Sequence, residues 1–288
     1  MLRLSDLEII DSREGLKTIP EGKVLINTIN AHSFNTAQGY PEFAEALTSC
    51  PQSKAGKGGC CRYLIPDGYS VVWACKLMRA KSRPMERVAG WDLFEFEMRR
   101  LNGNDNENSA SKREQSDACI SFVEREQSRA KLNANENKKK VMFMGSSERV
   151  LERIRKQCKI DYPNLEVVTY SPPYKPVFTD EDNAEMVKAI NEAQPDLLWI
   201  GMTAPKQEVW TYTHWEELDI HCHVGTIGAV FDFFAGTAPR APQWMQKHAQ
   251  EWLFRLMTEP RRMWKRYLLG NPKFFWNILK ESLSRRTA

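Results

Sequence analysis

The fold follows from residues 141–169, which read VMFMGSSERVLERIRKQCKIDYPNLEVVT. Two short apolar runs, Val141–Met144 and Val167–Thr169, have the length and composition of buried strands. Between them, Ser147–Lys159 carries the apolar spacing of a helix. A strand, a helix and a second strand in this order predict two parallel strands joined by a helical crossover.

The same alternation continues on both sides of this stretch. Further strands are predicted at Val24–Asn27, Val71–Trp73, Leu197–Ile200 and His223–Ile227. Further helices are predicted at Pro41–Thr48, Val88–Leu101 and Asp182–Glu192. This pattern is typical of an α/β fold in which helices cover both faces of a parallel sheet. The 288 residues suffice for one large domain or two small ones.

Two polar stretches interrupt the pattern. Ser49–Cys61 is rich in Gly and Lys, and Asn102–Lys140 is rich in Asn and charged residues. Neither has the apolar content of a core element, so both are predicted to be solvated insertions. The longer one is expected to be partly disordered, with a helix around Asp117–Lys131.

The C-terminal part of the chain differs in charge from the rest. The whole chain carries a net charge of +4, yet residues 240–288 hold eleven Lys and Arg against three Glu. Four of the nine Trp also lie there, at Trp244, Trp252, Trp264 and Trp276. Basic residues interleaved with large aromatic ones are typical of an amphipathic segment on an anionic surface. We therefore predict that the protein works against a negatively charged partner.

Prolines divide this tail into predicted helices. Pro242 is expected to open one helix, Pro260 to end or kink it, and Asn271-Pro272 to separate a last short helix. Between Trp244 and Glu259 the apolar residues recur close to every 3.6 positions, which could equally indicate a helix packed on its own core. The predicted organisation is a domain over residues 1–243 and a helical appendage over residues 244–288.

Composition excludes several classes of protein. No run of about 18 apolar residues occurs, so no transmembrane helix is predicted. The N-terminal residues lack the apolar core of a signal peptide. Seven Cys at irregular spacings fit reduced thiols in the cytosol. Neither Cys60-Cys61 nor His221-Cys222-His223 has a second ligand pair at zinc-site spacing, so no metal site is predicted.

Polar motifs cluster where predicted strands end, which is where open α/β sheets bind ligands. Asn27–Ala31 offers small polar side chains, among them Thr28 and Asn30, to a sugar or ribose, but it also fits a helix N-cap. Ile65–Gly68 is a common turn sequence. It also holds the carboxylate of Asp67 on a tight loop, as a general base requires.

A third motif, Gly201–Glu208, follows the predicted strand that ends at Ile200. Pro205 suits the first turn of a helix whose free N–H groups attract phosphate. Lys206 adds a cation and Gln207 adds a hydrogen-bonding amide. A diphosphate or a nucleotide is the natural ligand of such a segment.

Two other motifs allow more than one interpretation. In Gly225–Gly236, Gly228 could let the backbone approach a ligand, whereas Asp232 could be a ligand contact or a buried cap. Asp180-Glu181-Asp182 matches an Asp-x-Asp pattern that binds metal diphosphates. Because acids at a helix start are favoured by the helix dipole, we interpret it as a helix N-terminus.

Taken in order, these stretches closely resemble one family, the WecG/TagA/CpsF glycosyltransferases, known as glycosyltransferase family 26. The resemblance covers about residues 23–280 apart from the two insertions. It rests on Asn27–Ala31, Ile65–Gly68, Glu86–Asp92, Gly201–Glu208, Ile227–Gly236, Arg240–Pro242, Glu251–Leu256 and Glu259–Tyr267. It implies a Rossmann-like parallel sheet with helices on both faces, followed by a basic, Trp-rich helical C-terminal appendage.

The resemblance also implies a reaction. Family members move an N-acetylmannosamine-type sugar, with inversion, from a UDP-sugar donor to a polyprenyl-diphosphate-linked N-acetylglucosamine acceptor. They are cytoplasmic and peripheral on the inner face of the cytoplasmic membrane, which the appendage reaches, and they need no metal or other cofactor. Nucleic acid is not an expected partner. An exposed Trp-rich tail could also drive formation of a homo-oligomer away from the membrane.

Residue roles follow from the matching motifs. By resemblance Asp67 and Thr28 are catalytic, with Asp67 as the base. The implied substrate-binding residues are Asn30, Arg87, Asp92, Gln207, Glu208, Gly228, Arg255, Arg262 and Arg266. Arginines of the appendage are expected to hold the donor diphosphate, because a guanidinium bonds phosphate in a fork and stays charged. The choice between Lys265 and Arg266 at one of these positions is left open.

Two other functions remain open at this point. The same fold and lipid-linked acceptor could serve another UDP-hexose, because donor choice depends on a few pocket contacts. The chain could also be a non-catalytic, membrane-associated scaffold. The presence of Asp67, Thr28 and Gln207 together favours the enzyme.

Overall fold

The computed structural model describes residues 2–50, 62–103 and 138–287. Its strands are β1 (Val24–Ile29), β2 (Arg62–Pro66), β3 (Lys139–Gly145), β4 (Leu165–Tyr170), β5 (Leu197–Gly201) and β6 (His223–Thr226). They form one six-stranded sheet in the order β2-β1-β6-β5-β3-β4, and every pair of neighbours is parallel. The predicted α/β fold with a parallel sheet is confirmed.

Helices connect the strands and extend into the tail. The first group is α1 (Ala31–Ala37), α2 (Pro41–Thr48), α3 (Tyr69–Met78) and α4 (Gly90–Asn102). The second is α5 (Glu148–Asp161), α6 (Asp180–Ala193), α7 (Lys206–Thr213) and α8 (Gly228–Phe234). The tail holds α9 (Gln243–Lys247), α10 (Glu251–Thr258), α11 (Pro260–Trp264), a π-helical segment (Lys265–Leu269) and α12 (Gly270–Thr287).

Both faces of the sheet are buried. Phe143 of β3 and Trp199 of β5 belong to one apolar cluster. Met142 and Leu198, their neighbours in sequence, belong to a different cluster that also contains Trp210 of α7. Because successive side chains point to opposite faces of a strand, this division requires helices on both sides. It also explains why Val141–Met144 of β3 and Leu197–Ile200 of β5 are apolar without interruption.

One segment of the predicted pattern is wrong. Val71–Trp73, predicted as a strand, lies within α3. A run of three apolar residues carries no period that separates a strand from a helix. The strand of this region is Arg62–Pro66, which the sequence pattern did not predict. It is an edge strand that pairs with β1 alone and ends at Pro66, as proline at a sheet edge can.

The tail is helical, as predicted, but its breaks differ. α9 opens after Pro242, and α11 begins at Pro260. The break predicted at Asn271-Pro272 is wrong, because α12 contains both residues. The π-helical segment joins α11 to α12 without a non-helical residue between them, so Pro272 lies inside a continuous helix rather than at a helix start.

The apolar stripe between Trp244 and Glu259 does not form one core helix. Ala249 has a φ of 60° and separates α9 from α10. No residue of α10 is fully buried, and Trp252 is exposed. Met245 of α9 is buried. The interpretation as a helix packed on its own core therefore fails for most of this stretch.

The last helix is anchored on the core by its inner face. Phe274 is buried, and its ring meets that of Phe34 in α1 edge to face, at a centroid distance of 5.4 Å. The buried carboxylate of Glu281 accepts hydrogen bonds from the backbone N–H groups of Leu4 (3.0 Å) and Ser5 (2.9 Å). The appendage thus shares a buried interface with the sheet domain. The proposed division between residues 243 and 244 stays a prediction.

Several predictions concern residues outside the described ranges. Residues 51–61 and 104–137 include most of both insertions and the helix expected around Asp117–Lys131. Where the chain is described, none of its helices combines the length and apolar content needed to cross a membrane. Cys75, Cys158 and Cys222 are free thiols.

We expect Glu281→Ala to lower the free energy of unfolding by about 1–3 kcal/mol, because it leaves two backbone donors without their acceptor. Chemical denaturation of the full chain measures this loss. Glu192→Ala is the control, since it removes an exposed carboxylate that pairs with Lys188, and its midpoint should match the parent. An unchanged midpoint for Glu281→Ala would show that these bonds do not hold the last helix.

Candidate functional site

A cleft of about 2220 Å³ opens at the carboxyl edge of the sheet. Its walls come from the segments that follow all six strands, together with helices of the tail. Parallel strands all end at this edge, so segments distant in sequence meet there. The predicted site residues that line the cleft are Thr28, Asn30, Asp67, Arg87, Gln207, Glu208, Gly228, Arg255, Arg262 and Arg266.

Asp67 lies at the end of β2, beside the end of β1. Its backbone N–H donates to the carbonyl of Ile29 at 2.9 Å and ties the two strand ends together. Its carboxylate lies 3.5 Å from Nδ2 of Asn30 and 3.6 Å from Nη2 of Arg87. The side chain is 28% exposed, so a ligand in the cleft can reach it. The chain bends at Gly68, between the end of β2 at Pro66 and the start of α3 at Tyr69, and this junction presents the carboxylate.

Arg87 connects Asp67 to the tail. Its Nη2 lies 2.9 Å from Oε2 of Glu251, at the start of α10. The backbone N–H of Val88 donates to the carbonyl of Pro66 and fixes the segment that carries Arg87. Sequence reasoning assigned no role to Glu251. It is one of three acids in a basic tail and begins the motif Glu251–Leu256, but neither signal gives its distance from Arg87.

Burial and the neighbouring charges shift the pKa of Asp67 in opposite directions. Burial raises the pKa of Asp67, whereas the Arg87 guanidinium lowers it and the Glu251 carboxylate raises it again. Arg87 is itself mostly buried, yet the two carboxylates raise its pKa above the ordinary value. Arg87 therefore remains a cation shared between one carboxylate of the core and one of the tail.

Asn30 caps α1. Its Oδ1 accepts the backbone N–H groups of His32 and Ser33, each at 3.0 Å, and Ser33 Oγ accepts the N–H of Asn30 in return. The helix-cap interpretation is confirmed, and the same side chain holds its Nδ2 beside Asp67. Thr28, on β1, lines the cleft two residues earlier.

Gln207 and Glu208 are buried at the start of α7. Oε1 of Gln207 accepts the N–H of Met202 at 3.1 Å, and its Nε2 donates to Oε1 of Glu208 at 2.9 Å. Oε2 of Glu208 is buried without a hydrogen-bond partner, and burial raises the pKa of this carboxyl to about 7. Buried polar atoms are nearly always satisfied, so Glu208 has the character of a group that a ligand completes.

The helix predicted to start at Pro205 is present. Pro205 follows a cis peptide bond with Ala204 and precedes the first residue of α7. Nζ of Lys206 donates to the carbonyl of Lys175 at 2.5 Å and lies 3.3 Å from the centre of the Phe178 ring. Phosphate binding at this helix start stays a prediction.

The tail brings several cations to the cleft. The guanidinium of Arg255 lies 5.2 Å from the centre of the Phe233 ring, and its Nε is buried without a hydrogen-bond partner. Burial lowers the pKa of Arg266, and the charges of Arg255 and Arg262 act in the same direction. Burial also lowers the pKa of His32 to about 4, assisted by Arg266. An anionic ligand would relieve this accumulation of positive charge.

Lys265 and Arg266 lie differently. Lys265 is exposed, and its Nζ lies 5.5 Å from the centre of the Trp264 ring. Arg266 is partly buried, and it interacts electrostatically with Asp67. Although both residues line the cleft, Arg266 is thus the one directed toward the predicted base.

Asp92 is the predicted site residue that does not line the cleft. Its carboxylate accepts the backbone N–H of Ala89 at 2.7 Å at the start of α4, and it lies 3.3 Å from Arg13. Asp92 therefore fixes a helix terminus next to the segment of Arg87. In the same way, Asp182 forms a capping box with Thr179 at the start of α6, which confirms the helix N-terminus predicted there.

A family model described as the Glycosyl transferase WecG/TagA/CpsF family matches residues 126–288, more than half of the chain. The chain belongs to this family. The resemblance inferred from the ordered motifs is therefore confirmed, and the cleft belongs to a WecG/TagA/CpsF glycosyltransferase.

Curated relatives agree over most of the chain. An N-acetylglucosaminyldiphosphoundecaprenol N-acetyl-beta-D-mannosaminyltransferase of Bacillus subtilis is 28% identical over 225 residues, which cover 78% of this chain and 71% of the relative. A protein of the same name from Staphylococcus aureus is 30% identical over 218 residues, which cover 76% of this chain and 69% of the relative. Both alignments are longer than the match to the family model.

That this glycosyltransferase needs no metal stays a prediction. In residues 2–50, 62–103 and 138–287, no three or more His, Cys, Asp and Glu side chains are grouped to hold a metal ion. The pair of acids with Asp-x-Asp spacing, Asp180 and Asp182, lies at a helix start, where Asp182 bonds to Lys175 and Thr179.

We expect Gly228→Ala to destabilise the fold by about 1–3 kcal/mol, as overpacked sites do. A Cβ at this position would lie 2.4 Å from the carbonyl oxygen of Met202 and 2.9 Å from Oε1 of Gln207. Denaturation midpoints measure the effect. Gly39→Ala is the matched control, because its Cβ would meet no atom within 4 Å. Equal midpoints for the two variants would contradict the close approach of α8 to the segment after β5.

Proposed function

We propose that the chain transfers an N-acetylmannosamine-type sugar, with inversion, from a UDP donor to a polyprenyl-diphosphate-linked N-acetylglucosamine. Family membership and relatives named for this transfer support the proposal. The observation that carries it is that the Asp67 carboxylate and the tail arginines face the same cleft. A base and a set of cations are the two groups that such a displacement requires.

In this proposal Asp67 is the general base. It takes the proton from the attacking acceptor hydroxyl while the new glycosidic bond forms and the bond to UDP breaks. Burial raises the pKa of Asp67, and a higher pKa makes a carboxylate a stronger base. Asn30 and Arg87 hold its two oxygens. Displacement by one hydroxyl in a single step inverts the anomeric carbon.

The tail arginines stabilise the leaving diphosphate. Arg255, Arg262 and Arg266 line the cleft, and Nη2 of Arg262 also pairs with Glu259 at 2.5 Å. A guanidinium offers paired donors in the geometry of a phosphate and keeps its charge at every physiological pH. We propose that these cations carry the charge that develops on UDP, without a metal or other cofactor.

In this proposal, the wall formed by residues of β1 and α7 binds the remaining parts of the substrates. Thr28 of β1 lines the cleft, and Gln207 is held between Met202 and Glu208. Glu208, with one free buried oxygen, accepts a hydrogen bond from a hydroxyl or an amide of the donor when ionised. Gly228 lets α8 approach this wall closely. Asp92 supports the same wall from outside the cleft.

The tail directs the cleft toward the membrane in this proposal. Trp244, Trp264 and Trp276 are exposed among the basic residues of the tail. Such side chains bind the interface of an anionic membrane. The enzyme is proposed to act as a peripheral protein on the inner face of the cytoplasmic membrane, where its lipid-linked acceptor is accessible.

The proposal is tested with a short-chain polyprenyl-diphosphate N-acetylglucosamine and a panel of UDP-sugars in the presence of EDTA. We expect acceptor-dependent release of UDP from one donor. Asp67→Asn should lower kcat by about 10²–10⁴-fold, the usual contribution of a general base. UDP binding, measured by calorimetry, should persist in this variant.

The control for this assay is Asp219→Asn, which changes an exposed carboxylate far from the cleft lining and should retain full activity. Transfer at the parental rate by Asp67→Asn would remove Asp67 as the base. Absence of both transfer and UDP binding in the parent protein would favour the non-catalytic scaffold. Release from a donor other than UDP-N-acetylmannosamine would retain the enzyme class and change the sugar.

We also expect Glu251→Gln to shift the acid limb of the kcat/KM profile to lower pH. Activity requires ionised Asp67, so it is present above the pKa of Asp67 and lost as the pH falls through it. The Glu251 carboxylate raises that pKa. Its neutralisation lowers the pKa and also frees Arg87 to pair with Asp67 alone.

The control for the pH profile is Glu95→Gln, which breaks a half-buried pair with Arg99 and should leave the acid limb in place. An acid limb that stays fixed, or moves to higher pH, in Glu251→Gln would contradict electrostatic coupling between α10 and Asp67.

A further inference from the structure

α3 presents an unusual outer face. Its inner side is buried in the core through Val71 and Cys75. Its outer side carries Tyr69, Trp73 (70% exposed) and Leu77 (75% exposed). Because these three residues are spaced by four positions, they form a single stripe. The outer face of a surface helix is normally polar, so this stripe needs a partner.

α12 carries a second stripe beside the first. The two helices contribute to the same buried cluster, α3 through Cys75 and α12 through Phe274 and Ile278. The outer side of α12 exposes Phe275, Trp276, Leu279 and Leu283. Two neighbouring helices thus expose large apolar side chains together, which is more than the scattered surface residues of an ordinary monomer.

Both stripes begin at the cleft. α3 starts two residues after Asp67, and Tyr69 lines the cleft wall. α12 starts at Gly270, and its Phe275 also lines the cleft. The apolar surface is therefore continuous with the opening through which an acceptor reaches Asp67.

The exposed charged side chains described on α3 and α12 are positive. Lys76, Lys273 and Lys280 are exposed. The one carboxylate within the two helices, Glu281, is buried and bonded to the backbone of Leu4 and Ser5. Nζ of Lys280 lies 5.4 Å from the centre of the Trp276 ring. Aromatic and aliphatic side chains with lysines, and no exposed acid, are the composition of a surface that binds anionic lipid.

We propose that the outer face of α3, together with that of α12, rests on the surface of an anionic bilayer. This proposal rests on the proposed function, and it adds a membrane contact formed by the sheet domain itself to the one attributed to the tail. Contacts through two neighbouring helices that both begin at the cleft fix the orientation of the cleft. The acceptor hydroxyl then approaches Asp67 directly from the bilayer surface.

The positive charge of this face favours an anionic bilayer over two other occupants, a second copy of the chain and a polyprenyl chain. A second copy of the chain, related by a two-fold axis, would bring the same lysines against each other, which is repulsive. A polyprenyl chain is uncharged along its length and offers nothing to Lys76, Lys273 or Lys280. An anionic bilayer satisfies both the apolar stripes and the lysines.

The test is co-sedimentation of the full chain with vesicles of phosphatidylglycerol and phosphatidylcholine, without donor or acceptor. Leu77→Glu removes an exposed apolar side chain outside the cleft and adds a carboxylate to a face that lacks one. We expect its partition onto these vesicles to weaken by at least about tenfold. Ile160→Glu is the matched control, because Ile160 is 71% exposed near the end of α5, at the opposite edge of the sheet. Its partition should equal that of the parent.

Parental binding by Leu77→Glu would overturn the proposal, as would equal weakening by both variants. Parental binding by Leu77→Glu accompanied by a change in oligomeric state would assign the face to a second copy instead. Circular dichroism and the thermal midpoint check that both variants are folded.

A second measurement separates this proposal from the proposed function. Leu77→Glu should retain transfer to a short, water-soluble acceptor. Its transfer to an acceptor embedded in vesicles should fall by a factor similar to the loss of vesicle binding. A parent protein that binds vesicles through this face but transfers no sugar would retain the α3 contact and remove the proposed function. Equal loss of transfer to both acceptors in Leu77→Glu would place the effect in the cleft and overturn the α3 proposal.

Discussion

The arrangement at the site depends on one cation held between two carboxylates. Arg87 lies between Asp67, at the end of β2, and Glu251, in the tail. All three side chains are largely removed from water. In such an environment the separation of opposite charges is unfavourable. The ion pair therefore fixes the position of α10 relative to the strand ends. It also makes the basicity of Asp67 sensitive to the tail, although the two are distant in the sequence.

The remaining polar groups of the cleft are incompletely satisfied. Oε2 of Glu208 and Nε of Arg255 are buried without hydrogen-bond partners, and Arg266 is partly buried near other cations. Such groups reduce the stability of the free protein, because each has lost water and gained nothing equivalent. A nucleoside diphosphate sugar supplies acceptors for the arginines and donors for an ionised Glu208. This match of donors and acceptors supports the UDP-sugar donor that we propose.

Sequence patterns predicted the elements whose period is strong and missed those set by distant contacts. Val141–Met144 of β3 and Leu197–Ile200 of β5 are continuous apolar runs because both faces of these strands are buried. In Val71–Trp73, by contrast, Val71 and Val72 pack in the core and Trp73 is exposed. The ordered motifs located Asp67 and the tail arginines, which do share one cleft. They gave no distances, so the helix-capping position of Asp92 and the pairing of Glu251 with Arg87 could be learned only from the folded chain.

The inner face of α12 anchors the tail on the core, and its outer face is exposed. The distribution of charged residues separates the two faces. The single acid of α12, Glu281, faces inward and binds the N-terminal backbone, so the outward side is left to apolar and basic residues. Phe274 fixes that orientation, because its ring packs on Phe34. The same tail carries Glu251 and Arg255 into the cleft. The outer surface of the tail and the residues that surround Asp67 are therefore connected by consecutive helices, α10, α11 and α12.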